Sequence, residues 1–194
     1  VAKRFSQHLA GFTLAALVAV PASAHEVRLL ARMGLDGGGS RLAKVTMSDG
    51  STRSLAAGGL FTIAAGLLYA PAAAPIAIEA TIGYKVDDVT ASNGQLKFDR
   101  WPLELLASYR IDRHRIGGGL TRHGAPTYRA HVDGSPTTRV TFDDAFGGVL
   151  QYAYGDGNGS VYWDVGARIT LVKYTVPGDS VSGNSLGAFV SLGF

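Results

Sequence analysis

The chain has 194 residues, 46% of them hydrophobic, with 26 glycines, no cysteine and a formal net charge of +3. Charged residues make up only 17%, against about 25% in an ordinary domain, which excludes the charge-rich disordered class. No Gly-X-Y period exists, so a collagen-like chain is excluded too. The basic balance invites a nucleic-acid partner, and the first two dozen residues remove that reading.

Residues 1–24 have the three parts of an export signal: Lys3 and Arg4, the apolar run Gly11 to Val20, then Pro21 and the small residues Ala22-Ser23-Ala24. The apolar run is about half the ~20 residues that a membrane helix needs, so cleavage after Ala24 is expected. Without Lys3 and Arg4 the 18 basic residues become 16 against 15 acidic ones, a net charge of +1. The mature chain is nearly neutral, and no nucleic-acid partner is expected.

From His25 onward the dominant period is two, the signature of strands with one apolar and one polar face. In Ile76 to Asp87 the even positions are apolar throughout, while odd positions carry Glu79, Thr81, Lys85 and Asp87. Eight segments follow in order: 26–37, 53–70, 76–88, 97–111, 115–126, 139–154, 160–176 and 185–194. Gly, Asn, Asp and Pro clusters separate them, such as Gly37-Gly38-Gly39-Ser40, Ser92-Asn93-Gly94 and Asp156-Gly157-Asn158-Gly159. Connections after segments two, four and six are short. Those after one, three, five and seven are mostly long, the alternation of a membrane barrel with tight periplasmic turns and larger outer loops. The apolar stretch Leu55 to Ile78 could suggest a helix, but Gly58, Gly59, Gly66, Pro71 and Pro75 interrupt it.

One face of the segments collects Leu29, Ala31, Met33, Phe61, Ile63, Ile78, Ile82, Leu103, Leu105, Leu120, Leu150, Tyr152, Val165, Ile169, Val190 and Leu192. Aromatics on that face lie near segment ends: Tyr69, Tyr84, Trp101, Tyr109, Tyr154, Trp163 and Phe194. An apolar band between aromatic girdles suits a lipid-facing wall better than a sandwich core. The opposite face holds Arg28, Arg32, Glu79, Lys85, Glu104, Arg110, Asp164 and Arg168. Eight strands enclose a space that side chains fill, and buried charges there must pair. These residues are expected to form an interior charge network that plugs the barrel.

The signal ending Ala22-Ser23-Ala24, the eight segments and the final pattern Leu186, Ala188, Val190, Leu192, Phe194 resemble the small outer-membrane β-barrels of Gram-negative bacteria, the OmpA/OmpX-type and OmpW-like group. The resemblance implies an all-β, eight-stranded antiparallel transmembrane barrel over 25–194, located in the outer membrane and monomeric. It also implies that the final pattern is an assembly signal read by the barrel-assembly machinery, with periplasmic chaperones as partners during biogenesis. The expected role is non-enzymatic, envelope structure or surface interaction, without cofactor or metal. Two alternatives are a small OmpW-like transporter of hydrophobic solutes and a lipid A-modifying hydrolase.

Several residues bear on these choices. Proline lacks a ladder donor, so Pro102 predicts a bulge or an unpaired stretch near Trp101-Pro102. Asp99 and Asp144 take outward parity and are tolerable only above hydrocarbon. A hydrolase would draw on His123, or on His131 with Ser135 and an acid such as Asp133 or Asp143; a solvated rim histidine is the simpler reading. His114 reads as a solvated tip, and Asp156 to Ser160 as a turn rather than a calcium loop. Lys97, Arg122 and Lys173 have outward parity in the outer halves of their segments, where they could meet lipopolysaccharide phosphates or simply reach water.

Overall fold

A computed structural model of the protein describes residues 27–46, 50–91, 93–156 and 161–194. The strands, in chain order, are β1 (Val27–Gly37), β2 (Arg41–Thr46), β3 (Thr52–Ala56), β4 (Phe61–Tyr69), β5 (Ile76–Ala91), β6 (Gly94–Ile111), β7 (His114–Val132), β8 (Thr138–Thr141), β9 (Ala145–Asp156), β10 (Tyr162–Val176), β11 (Asp179–Ser182) and β12 (Ser185–Gly193). Eight of them, β1, β4, β5, β6, β7, β9, β10 and β12, pair antiparallel in that order, and β12 returns to β1. The sheet is therefore a closed eight-stranded barrel with no free edge, as the alternating segments predict. The expected export signal lies outside the described residues.

The wall alternates as a barrel requires. Leu120 is 71% exposed, Leu29 65% and Leu150 60%, while their chain neighbours Leu30, Thr121 and Gln151 turn inward and are buried. All sixteen apolar positions assigned to the outer face are exposed.

The two ends differ. At one end the connections are short: residues 70–75, then Asp112 and Arg113, then the segment from β9 to β10. Asp112 adopts φ +53°, a left-handed value that Asp tolerates better than most residues. At the other end the chain builds extra structure. The β2–β3 hairpin stands in the first connection, β8 pairs with the end of β7, and β11 pairs with the end of β10.

Three sequence expectations change here. The segment 53–70 is two strands, because β3 belongs to the hairpin and Ala57 to Leu60 turn the chain into β4. The segment 139–154 likewise divides into β8 and β9. The long connection expected over 89–96 shrinks to a tight turn, since β5 and β6 stay paired as far as Ala91↔Gly94.

The register shift falls close to Pro102. Between Asp99↔Thr127 and Trp101↔Gly124, Arg100 faces two residues of β7, Ala125 and Pro126. That is a β-bulge, with Ala125 at φ +46°. On the other side of β6, the paired register skips Gly83 and Tyr84 opposite Pro102 and Trp101, where proline has no N–H to give.

A candidate functional site in the barrel interior

Moving up from the short-turn end, the interior opens as a cavity of about 440 Å³ lined by Arg28, Arg110, Arg113, Arg115, Tyr162 and Asp164, among others. Arg110, expected in the interior network, is only half-buried, and its guanidinium donates to the carbonyls of Pro71 and Ala74. It braces the first short turn instead. The other seven predicted interior charges are buried.

Glu79 is the hub. Arg32 grips it with two parallel bonds, Nη1 to Oε1 at 2.5 Å and Nη2 to Oε2 at 2.9 Å. Arg115 donates to Glu79 Oε2 at 3.2 Å and to Asp164 Oδ2 at 2.6 Å, and the Tyr162 hydroxyl also donates to Asp164. Arg32 Nε donates to Ser191 at 2.9 Å, and its guanidinium lies 4.4 Å from the Phe189 ring centre. Forked arginine–carboxylate pairs of this kind are the strong class of charged hydrogen bond. The hub thus ties β1, β5, β7, β10 and β12 together across the lumen.

A second layer lies above. Arg168 meets Glu104 at 2.5 Å, and Lys85 lies 3.3 Å from Asp36 and 3.0 Å from Ser185 Oγ. Thr62 donates to Asp36 at 2.8 Å. Higher still, His123 is 1% exposed with Nδ1 2.6 Å from the Tyr174 hydroxyl. Arg100 is fully buried, its guanidinium carbon 4.9 Å from the centre of the Phe98 ring. Gly59, at φ +77°, leaves room for it: a β-carbon there would come within 2.3 Å of Arg100 Nη2.

The far end is closed by apolar side chains. Leu55 of β3 and Ala57 beside it are fully buried in a cluster with Phe98, Phe142, Val172 and Tyr174. Phe98 meets Phe142 and Tyr174 edge-on, with ring centres 5.8 and 5.5 Å apart. The hairpin is a stopper in the barrel mouth. From the hub towards this stopper the side chains leave a small cavity of about 10 Å³, room for about one water at most.

Sequence parity could have placed Asp36, Arg115, His123 and Gln151 inside, since Asp36 shares a face with Arg28 and Arg32 while Arg115, His123 and Gln151 alternate with Leu120 and Leu150, assigned outward. Arg100 also shares the inward parity of Glu104 on β6, and the bulge shifts the alternation only on the facing strand β7. His123 is therefore not the rim histidine of the sequence reading. His114 lies against the outer wall, with Nδ1 2.8 Å from the Tyr152 hydroxyl. Near the end of β7, His131 contacts Thr137 at 3.1 Å and Asp133 at 3.6 Å, both through exposed side chains; Ser135 is not in that pair of contacts. Among the described residues no group of three His, Asp or Glu side chains is placed to hold a metal.

Outside, the three predicted phosphate-facing cations separate. Arg122 pairs with Asp144 and lies 6.0 Å from the Phe146 ring. Lys173 and Phe146 line one shallow groove. Lys97 sits elsewhere, 5.7 Å above the Tyr84 ring. The Asp144 carboxyl is held below its ordinary range, first by the Ala125 amide and then by Arg122. Asp99 keeps its outward parity but is buried beneath Arg129, at 2.6 Å. At the end of the chain, Leu186, Val190, Leu192 and Phe194 are exposed apolar residues, and Ala188 pairs with both Leu35 and Ala167.

No protein-family model and no curated protein matches the chain. Solved structures do. Ail, the attachment invasion locus protein of Yersinia pestis, solved with the heparin analogue sucrose octasulfate, superposes with a TM-score of 0.52 at 8% identity, covering 87% of this chain and 96% of that one. Neisserial surface protein A gives a TM-score of 0.46 at 15% identity, over 87% and 97% of the two chains. The outer membrane protein AlkL, solved in lipid bilayers, gives 0.39 at 15% identity, over 90% of each. The fold is that of the small eight-stranded outer-membrane barrels.

Proposed function

We propose that a chain with this barrel is a non-enzymatic integral protein of the outer membrane, acting through its hairpin end and not through its lumen. The observation that carries the proposal is the filled interior. The Glu79 hub, the Arg168–Glu104 and Lys85–Asp36 pairs and the Leu55 stopper succeed one another along the axis. The exposed apolar wall supports placement in hydrocarbon, since soluble monomers rarely expose so large an apolar surface. With the short turns on the periplasmic side, the hairpin end faces outward.

Two further parts of the reading extend it. Export removes residues 1–24, so N-terminal sequencing of the mature protein is expected to begin at His25. The β12 pattern Leu186, Ala188, Val190, Leu192 and Phe194 serves assembly, and the folded barrel is monomeric. An apolar-solute transporter fits less well, because the small cavity behind the wall is lined by Lys85, Glu104, His123 and Arg168. A hydrolase fits less well, because the partner of His123 Nδ1 is a phenol inside the barrel. The test is conductance in planar bilayers. No steady single-channel steps are expected; large reproducible steps from the wild-type protein would overturn the sealed-barrel reading.

A further inference from the structure

On the outer wall, small residues leave a depression where the neighbouring wall bears Leu and Ile. Ala64, Ala65 and Gly83 form its floor, and Ile63, Ile82 and Trp101 line it. The groove measures about 680 Å³ and follows the stretch where the β5–β6 register skips Pro102. Tyr84 and Trp101 stack at its upper edge, ring centres 5.0 Å apart.

Above that edge three cations stand in register across three strands. Lys97 of β6 is opposite Arg129 of β7, and Arg129 is opposite Arg139 of β8. Like charges directly opposite each other destabilise a sheet, so the row is a local cost that a bound anion would offset. Two acids offset part of it: Asp99 pairs with Arg129 at 2.6 Å, and Asp88 of β5 stands opposite Lys97 in the register, its carboxylate accepting from Thr90 at 3.0 Å and Gln95 at 2.6 Å. Among the described residues, neither Lys97 nor Arg139 has a carboxylate partner.

We propose that the groove and the cation row together hold one phosphorylated glycolipid of the lipid A class. Its phosphate lies on Lys97, Arg129 and Arg139, and one acyl chain lies along Ala65, Ile82 and Trp101. Charge complementarity selects the phosphate, because arginine and lysine bind phosphate oxygens by charge-assisted hydrogen bonds. The small-residue floor selects a chain in place of a bulk contact. The inference rests on the outer-membrane reading, and it groups Lys97 with Arg129 and Arg139 and not with Arg122 and Lys173.

The chain's two tryptophans provide the test. Trp101 lies in the groove, and Trp163 pairs with Asp156 of β9 at the short-turn end. Lipid A carrying both phosphates is titrated into the barrel in uncharged detergent micelles, with Trp163→Phe reporting Trp101 and Trp101→Phe reporting Trp163. A saturable blue shift is expected from Trp101 only. Half-saturation should move at least tenfold higher in Lys97→Gln/Arg129→Gln/Arg139→Gln, and likewise with dephosphorylated lipid A. Ala65→Phe, which fills the groove and keeps the cations, is expected to weaken the response too. Equal titrations in wild type and triple variant, equal responses from both tryptophans, or equal binding of phosphatidylglycerol would each overturn the proposal. Heat-dependent gel mobility is recorded for every variant. A weakened response in a variant that keeps its mobility supports the lipid site, whereas no response from the wild-type barrel with mobility retained counts against the lipid site and leaves the sealed barrel standing.

Discussion

Glu79 shows how much one side chain can do in a narrow barrel. Its two oxygens receive Arg32 and Arg115, and Gln151 approaches at 3.5 Å. Removing a buried partner strands the charges that remain, so Glu79→Ala is expected to cost about 3–5 kcal/mol in urea unfolding from vesicles. Replacing both partners, Arg32→Met with Glu79→Leu, should cost much less, because the stranded charge is gone. A double variant as unstable as the single one would show that the hub acts by some route other than charge. On the outer wall the size of the effect depends on depth. Leu120 is 71% exposed, and Leu120→Arg is expected to cost about 2–4 kcal/mol if it lies near the bilayer midplane. In detergent micelles, where the head can reach water, the same substitution should cost less.

At the scale of elements, the β2–β3 hairpin is separable from the wall. Its two strands form their own sheet, and Leu55 is its deepest anchor in the mouth. Leu55→Asp places a charge in that apolar cluster and should release the hairpin. The expected result is new protease cleavage within 41–56 with the heat-shift of the barrel unchanged. Conductance should stay low, since the Arg168–Glu104 and Arg32–Glu79 layers still fill the lumen. Steady current in this variant would mean that the stopper alone closes the barrel. The hairpin is also where reading the sequence failed most. The segment 53–70 reads as one alternating run, and only tertiary packing of Leu55 and Ala57 shows where one strand ends and another begins. Strand parity, by contrast, was legible wherever a strand stayed regular: Leu29, Ile82 and Val165 all face out. Parity held on β6, where Arg100 shares the inward face of Glu104; it broke on β7, where the extra bulged residue moves the inward face from Thr121 and His123 to Tyr128, and no local residue pattern marks that reversal.

For the whole molecule, closure was legible from the connection lengths and from the two-residue period, since eight strands with alternating short and long links have few other arrangements. The mixed charges of one face were legible, but their pairing was not: parity turns Arg115 and Asp36 inward without showing that they meet Glu79, Asp164 and Lys85. A closed, filled barrel should resist SDS until heated. Boiled and unboiled samples are therefore expected to migrate differently, and identical migration would count against a folded barrel.

The seam between β1 and β12 has a consequence for how the molecule comes to exist. Arg32 and Ser191, bonded across it, are 159 positions apart in the chain. The first strand must therefore wait for nearly all of the rest before its second edge is covered. Contacts this distant form slowly, and an open curl with two bare edges is prone to join a neighbour's edge. The order of events, with the earliest part finished last, makes the unfinished chain the vulnerable state and gives escort during transit a physical reason.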